Sequence, residues 1–65
     1  MNGQRREDIY AGLAVEIVLK KDQRTGQLTR GVVQDILTSS AFHSRGIKVR
    51  LKSGEIGRVQ NVLEG

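Results

Sequence analysis

The sequence contains no cysteine, which excludes disulfide bonds and thiolate metal sites. Its single histidine, His43, has no carboxylate beside it in the sequence to complete a metal site. A chain of 65 residues buries only about 60% of the surface that its unfolded form exposes, and such domains often need covalent or metal crosslinks. We therefore expect one domain over residues 1–65, held together by a single small core, with no metal and no cofactor.

Long apolar runs are also missing. No segment approaches the roughly 18 apolar residues that a membrane-spanning helix needs. Residues 1–8 contain no apolar signal core, and Asn2 stands where N-myristoylation requires glycine. These features predict a cytoplasmic protein without a membrane partner, in which residues 1–8 are flexible.

Aromatic side chains are scarce, since Tyr10 and Phe42 are the only two. Proteins that bind single-stranded nucleic acid stack successive bases on several aromatic faces. This chain cannot supply several such faces. If its ligand is a nucleic acid, recognition must depend on phosphates, on arginine stacking or on the shape of folded RNA.

Proline is absent, and eight glycines separate short segments that are rich in valine and isoleucine. Such segments favour β-strands. The alternation of apolar and polar residues predicts strands over residues 14–20, about 28–37, 47–52 and from 55 to about 62, with polar loops over 21–27 and 38–45. Apolar residues on both faces of the second strand predict a bend at Gly31 that lets one strand serve two sheets.

Short strands, glycine turns and one bent strand predict an all-β fold, a small SH3-like barrel of four to five strands. Closure into a barrel removes exposed strand edges, which matter greatly in a domain of this size. The inward positions of the strands give the predicted core: Val15, Ile17, Leu19, Val32, Ile36, Ile47, Val49, Leu51, Ile56 and Val59.

The last two predicted strands are joined by Ser53 and Gly54 in what reads as a two-residue hairpin turn, which sets Ile56 on the inward face. A regular ladder would then point Arg58 into the core, where an unpaired charge costs several kcal/mol. A bulge at Gly57 and Arg58 would turn Arg58 outward and set it opposite Arg50. The sequence therefore predicts that bulge. Because like charges that face each other are destabilising, the two arginines either splay into solvent or share an anion. The second alternative places them at the centre of a ligand surface that Lys48 and Lys52 flank.

The formal net charge is +4, and the isoelectric point of about 10.1 exceeds the value of about 9 that suggests nucleic-acid binding. The excess positive charge lies after residue 19, and alternate cations of the third strand should project from one face. The same charges also serve solubility and discourage pairing between sheet edges. The candidate nucleic-acid-binding residues are Lys20, Lys21, Arg24, Arg30, Lys48, Arg50, Lys52 and Arg58.

Catalytic patterns are missing. Ser39, Ser40 and His43 share one loop without an acidic residue to orient the histidine. Gly26 and Gly31 are not followed by the Lys-Ser/Thr pair of a phosphate-binding P-loop. We therefore expect no catalytic residue.

Several segments resemble known families. The pattern IYAGLAVEI at residues 9–17 is similar to the opening of many SH3-like barrels, and RGVV at 30–33 and GEIGRV at 54–59 resemble strands of KOW-type translation and transcription modules. Nearly the whole chain resembles the YwbE family of short bacterial proteins, most clearly at VLKKDQRTG (18–26) and GIKVRL (46–51). The YwbE resemblance implies almost nothing about activity, so no catalytic residue is carried over from it. The KOW resemblance implies RNA or ribosome-associated binding.

These observations together predict a non-catalytic binding module. Its expected partner is structured RNA or a ribonucleoprotein, held by the basic strand face. The alternative is a protein-interaction module that docks on an acidic protein through the same face.

Overall fold

The computed structural model describes residues 3–64, which form a closed barrel of four antiparallel strands. The strands are β1 (Ala14–Leu19), β2 (Leu28–Ile36), β3 (Lys48–Leu51) and β4 (Ile56–Glu64). Each strand pairs with the next, and β4 pairs with β1 to close the barrel. The all-β, SH3-like barrel that the sequence predicts is confirmed.

Two short 3₁₀ helices, Arg6–Asp8 and Lys20–Asp22, precede and follow β1. No helix within the described residues is long and apolar enough to cross a membrane. Met1 and Asn2, where the predictions about lipidation and the start of a flexible segment fall, lie outside the described residues, as does Gly65.

Strand β2 changes its pairing partner along its length, as its apolar residues on both faces predicted. It pairs with β1 as far as Val32 and with β3 from Val33 onward, with a register irregularity between Val33 and Asp35. Because of this exchange Val33 is fully buried, whereas Val32 is only partly buried. The prediction that Val32 belongs to the core is therefore wrong.

The bend was predicted at Gly31, but the irregularity lies further along the strand, between Val33 and Asp35. At Gly31 the missing side chain makes room for another residue. A Cβ at this position would overlap the side chain of Leu51, which fills the space instead.

The hairpin between β3 and β4 has a three-residue loop, so the predicted two-residue turn is wrong. The amide of Gly54 donates to the carbonyl of Leu51, and the amide of Leu51 donates to the carbonyl of Glu55, both at 2.8 Å. Gly54 has φ +102°, which suits the last position of this loop type, where a residue in the left-handed region is required.

The extra loop residue shifts the β3–β4 register by one position. The ladder then runs without interruption through Lys48–Arg58, Val49–Gly57 and Arg50–Ile56, and the predicted bulge at Gly57 is wrong. Ile56 turns outward and is 39% exposed, which also corrects its place in the predicted core. Gly57 takes the inward position opposite Val49. Only glycine fits there, because a Cβ would collide with the carbonyl oxygen of Val18.

A bulge does occur in β4, but further along and against β1. Ile17 pairs with Val59 and Glu16 with Asn61, which leaves Gln60 as the extra residue. Val59 is buried and Val62 packs against the core, three positions apart instead of two. The bulge therefore turns two consecutive polar residues, Gln60 and Asn61, away from the core.

The core extends beyond the strands. Ile9 and Leu13 are buried although both precede β1 and were missed as core residues. Leu19 and Ile36, which were predicted to be core, are partly buried against it. The buried apolar residues are Ile9, Leu13, Val15, Ile17, Val33, Ile47, Val49, Leu51 and Val59.

The chain before β1 is hydrogen-bonded to the loop before β3. The amide of Ile47 donates to the carbonyl of Gly3, the amide of His43 donates to the carbonyl of Gln4, and the amide of Arg6 donates to the carbonyl of Ala41. These bonds hold the N-terminal segment against the loop before β3, and Ile9, which follows that segment, is buried in the core.

Candidate nucleic-acid interface

A groove runs over the outer surface of β1 and β4, between the turn that follows β1 and the loop before β3. It consists of two adjoining cavities of about 640 and 390 Å³, which share Val18, Gln23 and Arg58 as lining residues. We call it the basic groove and define it by four cations and three amides: Lys20, Arg45, Lys48, Arg58, Gln23, Gln60 and Asn61.

Arg58 lies at the centre of the basic groove, because it lines both cavities. Its Nη1 donates to the carbonyl of Gly46 at 3.2 Å. A guanidinium has five N–H donors, and this bond holds the group in place while leaving most of them available. Lys48 is its direct partner in the β3–β4 ladder, which brings two positive charges to adjacent positions on the same face.

The charge of the basic groove is not compensated. No acidic residue whose side chain the structure describes lines either cavity, whereas four of the eleven Lys and Arg residues do. Within the described part of the chain none of these four cations forms an ion pair; the ion pairs there are Arg5–Glu7, Arg30–Glu16 and Arg50–Asp35. An uncompensated cluster of this kind concentrates positive potential and attracts anions.

The chain matches the family described as "Uncharacterized conserved protein (DUF2196)" over residues 2–62. It is also 64% identical over 63 residues to the uncharacterized protein YwbE of Bacillus subtilis (strain 168), covering 97% of each chain. The chain belongs to the YwbE family. No solved structure matches it. The resemblance to this family that the sequence suggested is confirmed.

The fold of this YwbE-family protein brings only some of the predicted binding residues together. Lys20, Lys48 and Arg58 line the basic groove. Lys21 and Arg24 are exposed on the turn after β1, on either side of the groove residue Gln23 in sequence.

The other three candidates point elsewhere. Arg30 lies opposite Glu16 in the β1–β2 ladder, with 3.8 Å between its Nη2 and Oε2 of Glu16. Arg50 donates from Nη1 to Oδ2 of Asp35 at 3.2 Å, and Lys52 lies in the hairpin loop. Arg50 stands opposite Ile56 in the ladder, so the predicted facing pair of Arg50 and Arg58 is wrong because the three-residue loop moved the register.

Arg45 and the amides were missed by the sequence reasoning. Arg45 belongs to the loop before β3 and reaches the groove because that loop packs beside β4, where Nε2 of Gln60 donates to the carbonyl of Arg45 at 2.9 Å. This contact depends on the tertiary fold and leaves no local signal. Gln60 and Asn61 did have a local sequence signal, because two consecutive polar residues between Val59 and Val62 indicate a bulge.

The remaining candidate groups do not join the groove. Nδ1 of His43 accepts a hydrogen bond from the amide of Arg45 at 3.1 Å, an interaction that stabilises the loop before β3. Among the side chains described, those of residues 3–63, no three from His, Asp or Glu are placed to hold a metal ion. Tyr10 and Phe42 are exposed, and neither lines the groove.

Proposed function

We propose that this YwbE-family protein is a non-catalytic binding module of the cytoplasm that holds structured RNA, free or in a ribonucleoprotein, through phosphate contacts in the basic groove. The observation that carries the proposal is the charge of the groove: four cations, with no acid in the lining and no ion pair to any of them among the described side chains of residues 3–63. Phosphate contacts of this kind supply most of the affinity of sequence-independent nucleic-acid binding.

The Lys48–Arg58 pair supports an anionic ligand. Like charges directly opposite each other in a ladder destabilise a sheet, and a bound phosphate relieves that repulsion. Arg58 is already held by the carbonyl of Gly46, so less side-chain freedom is lost when a ligand binds. Its planar guanidinium can donate two hydrogen bonds to one phosphate, while Lys48 supplies a point charge.

The lining of the groove favours folded RNA over a single strand. Its apolar residues are aliphatic, and the two aromatic residues of the chain lie elsewhere. Without aromatic faces, the groove lacks the base-stacking contribution of about 1–3 kcal/mol per base on which single-strand binders depend. Contacts to the backbone of a duplex or hairpin need no such faces.

The test compares two double variants that remove the same charge. Lys48→Gln/Arg58→Gln removes two cations from the groove, whereas Arg50→Gln/Lys52→Gln removes two cations of the same hairpin that lie outside it. We expect the groove variant to bind a fluorescent RNA hairpin about tenfold more weakly or worse, because hydrogen bonds to charged groups contribute roughly 1.5–3 kcal/mol each. The control variant should lose less than about threefold, which corresponds to long-range charge alone.

Fluorescence anisotropy measures both affinities, and circular dichroism checks that both variants fold. Equal losses in the two variants would contradict the assignment of the groove as the binding site, and failure of the unmodified protein to bind the hairpin would contradict the proposed function.

A second function is favoured by two apolar residues. Leu28 and Ile56 line the groove and are 38% and 39% exposed, although phosphate binding requires no apolar surface. An acidic protein with apolar side chains would use both features of the groove. Pulldown from cell lysate with and without nuclease separates the candidates: a protein partner that survives nuclease treatment supports docking on a protein, and its loss supports RNA.

A further inference from the structure

The bulge in β4 gives the basic groove a pair of neighbouring amides. In a regular strand consecutive side chains point to opposite faces, and one of the two would point into the barrel. The extra residue at Gln60 places Gln60 and Asn61 both in the lining of the groove. Bulges are frequent next to functional sites, where they redirect side chains.

The orientation of both amides is set by bonds to the protein. Nε2 of Gln60 donates to the carbonyls of Arg45 at 2.9 Å and Arg58 at 3.3 Å. Nδ2 of Asn61 donates to Oε1 of Glu16 at 3.0 Å. Both N–H groups of Gln60 and one N–H of Asn61 are thereby engaged, whereas the amide oxygens Oε1 and Oδ1 accept no hydrogen bond from the residues described and are available to a donor on a ligand.

The groove therefore combines positive charge with hydrogen-bond acceptors that carry no charge. A ligand that satisfies both must bear an anionic group close to a neutral O–H or N–H donor. Every nucleotide of RNA has this combination, because the ribose 2′-hydroxyl lies beside the phosphate and can donate a hydrogen bond. The amines of the bases are also donors, but their position changes with sequence, whereas the position of the hydroxyl relative to the phosphate does not.

We infer that Gln60 and Asn61 accept hydrogen bonds from ribose 2′-hydroxyls of the strand whose phosphates Arg58 and Lys48 hold, and that the groove thereby selects RNA over DNA. This inference rests on the proposed function. In this arrangement the cations supply the affinity for phosphate, and the amides of Gln60 and Asn61 distinguish ribose from deoxyribose.

The decisive experiment changes the ligand and leaves the protein intact. An RNA hairpin and its 2′-fluoro counterpart of the same sequence both adopt the A-form, but the fluorine cannot donate a hydrogen bond. We expect the 2′-fluoro hairpin to bind about three- to tenfold more weakly, the effect of losing one or two neutral hydrogen bonds. Equal affinity for the two hairpins would overturn the inference while leaving the proposed function standing. Failure of the protein to bind either hairpin would overturn both.

A double variant tests whether the bulge amides cause the difference in affinity between the two hairpins. Gln60→Met/Asn61→Leu removes both acceptors at similar side-chain size, and Glu16 keeps Arg30 as its partner. We expect this variant to bind both hairpins with equal affinity, while Lys48→Gln weakens both and keeps their ratio. An unchanged ratio in the bulge variant would overturn the inference.

A third hairpin, with inosine in place of guanosine, tests the 2-amine of guanine, which is the base amine on the minor-groove edge beside the ribose hydroxyls. A loss of affinity with inosine, combined with equal binding of the 2′-fluoro and unmodified hairpins, would assign the amide oxygens to a base and overturn the ribose assignment. Thermal unfolding of the bulge variant checks its fold, and the comparison of hairpins on the unmodified protein holds even if that variant does not fold.

Discussion

Arginine residues of the same hairpin have different environments in this molecule. Arg50 donates to Asp35 across the β2–β3 ladder, so its charge is compensated within the protein. Arg58 donates to the backbone carbonyl of Gly46, which holds the guanidinium without neutralising it. In the sequence the two arginines look equivalent, as members of one basic face. Their partners in the fold distinguish them: Arg50 is paired with a carboxylate, whereas Arg58 keeps its charge available to a ligand.

At the residue scale, Leu51 gives a direct test of the core. Its side chain is fully buried and occupies the space beside Gly31. We expect Leu51→Ala to reduce the free energy of unfolding by roughly 2–5 kcal/mol, from lost burial and the cavity left behind. Ile56→Ala, five residues along the same hairpin, removes a side chain that is 39% exposed and should cost less than about 1 kcal/mol.

Urea unfolding monitored by circular dichroism gives both values for these two variants. If Ile56→Ala proved as costly as Leu51→Ala, the pairing of Arg50 with Ile56 in the hairpin would be wrong.

At the element scale, the strands could be predicted from alternation but the register of the last hairpin could not. Ser53 followed by Gly54 suits a two-residue turn as well as a three-residue loop that ends in glycine. What distinguishes them is packing: the backbone of β1 passes so close to β4 that the inward position opposite Val49 has no room for a Cβ. Gly57 fits there, whereas a regular ladder after a two-residue turn would bring Arg58 to that position.

The register of this hairpin also determines which cations lie side by side in the basic groove. Sequence reasoning found Lys20, Lys48 and Arg58, which line the groove, because their charge is visible in the strands and in the residue after β1. It set Arg58 beside the wrong partner, because one loop residue moves every pair of the ladder. It missed Arg45, whose place in the groove depends on how a loop packs against β4.

The turn after β1 gives a prediction about motion. Its residues are mostly exposed, and its backbone bonds are local: the amide of Gln23 donates to the carbonyl of Lys20, and the amides of Thr25 and Gly26 donate to the carbonyl of Asp22. We expect the amides of Lys21 and Arg24 to have NMR order parameters clearly below those of β3 and β4, which should lie near the value of about 0.85 typical of rigid backbone. Equal order parameters in the turn and the hairpin would show that the turn is part of the rigid barrel.

At the scale of the whole molecule, closure of the barrel explains why the N-terminal segment contributes to the core. Ile9 and Leu13 precede β1 and are buried in the same cluster as the inward residues of the strands. Amphipathic alternation does not reveal such residues, because they belong to no strand. Their burial follows from the long-range bonds between the N-terminal segment and the loop before β3, such as that from the amide of Ile47 to the carbonyl of Gly3.

The net charge of the molecule yields the last prediction, which concerns salt. If the four cations of the basic groove each contact one phosphate, binding of an RNA hairpin should weaken with salt at a log–log slope between about −2.8 and −3.6, from −0.7 to −0.9 per contact.

Lys48→Gln/Arg58→Gln removes two of these contacts and should reduce the slope by about half. Arg50→Gln/Lys52→Gln lowers the net charge by the same two units and should leave the slope nearly unchanged, since neither residue lines the groove. Anisotropy titrations from 50 to 300 mM KCl measure all three slopes. A slope that falls equally in both variants would mean that the RNA responds to total charge, and the groove would then have no special role in binding.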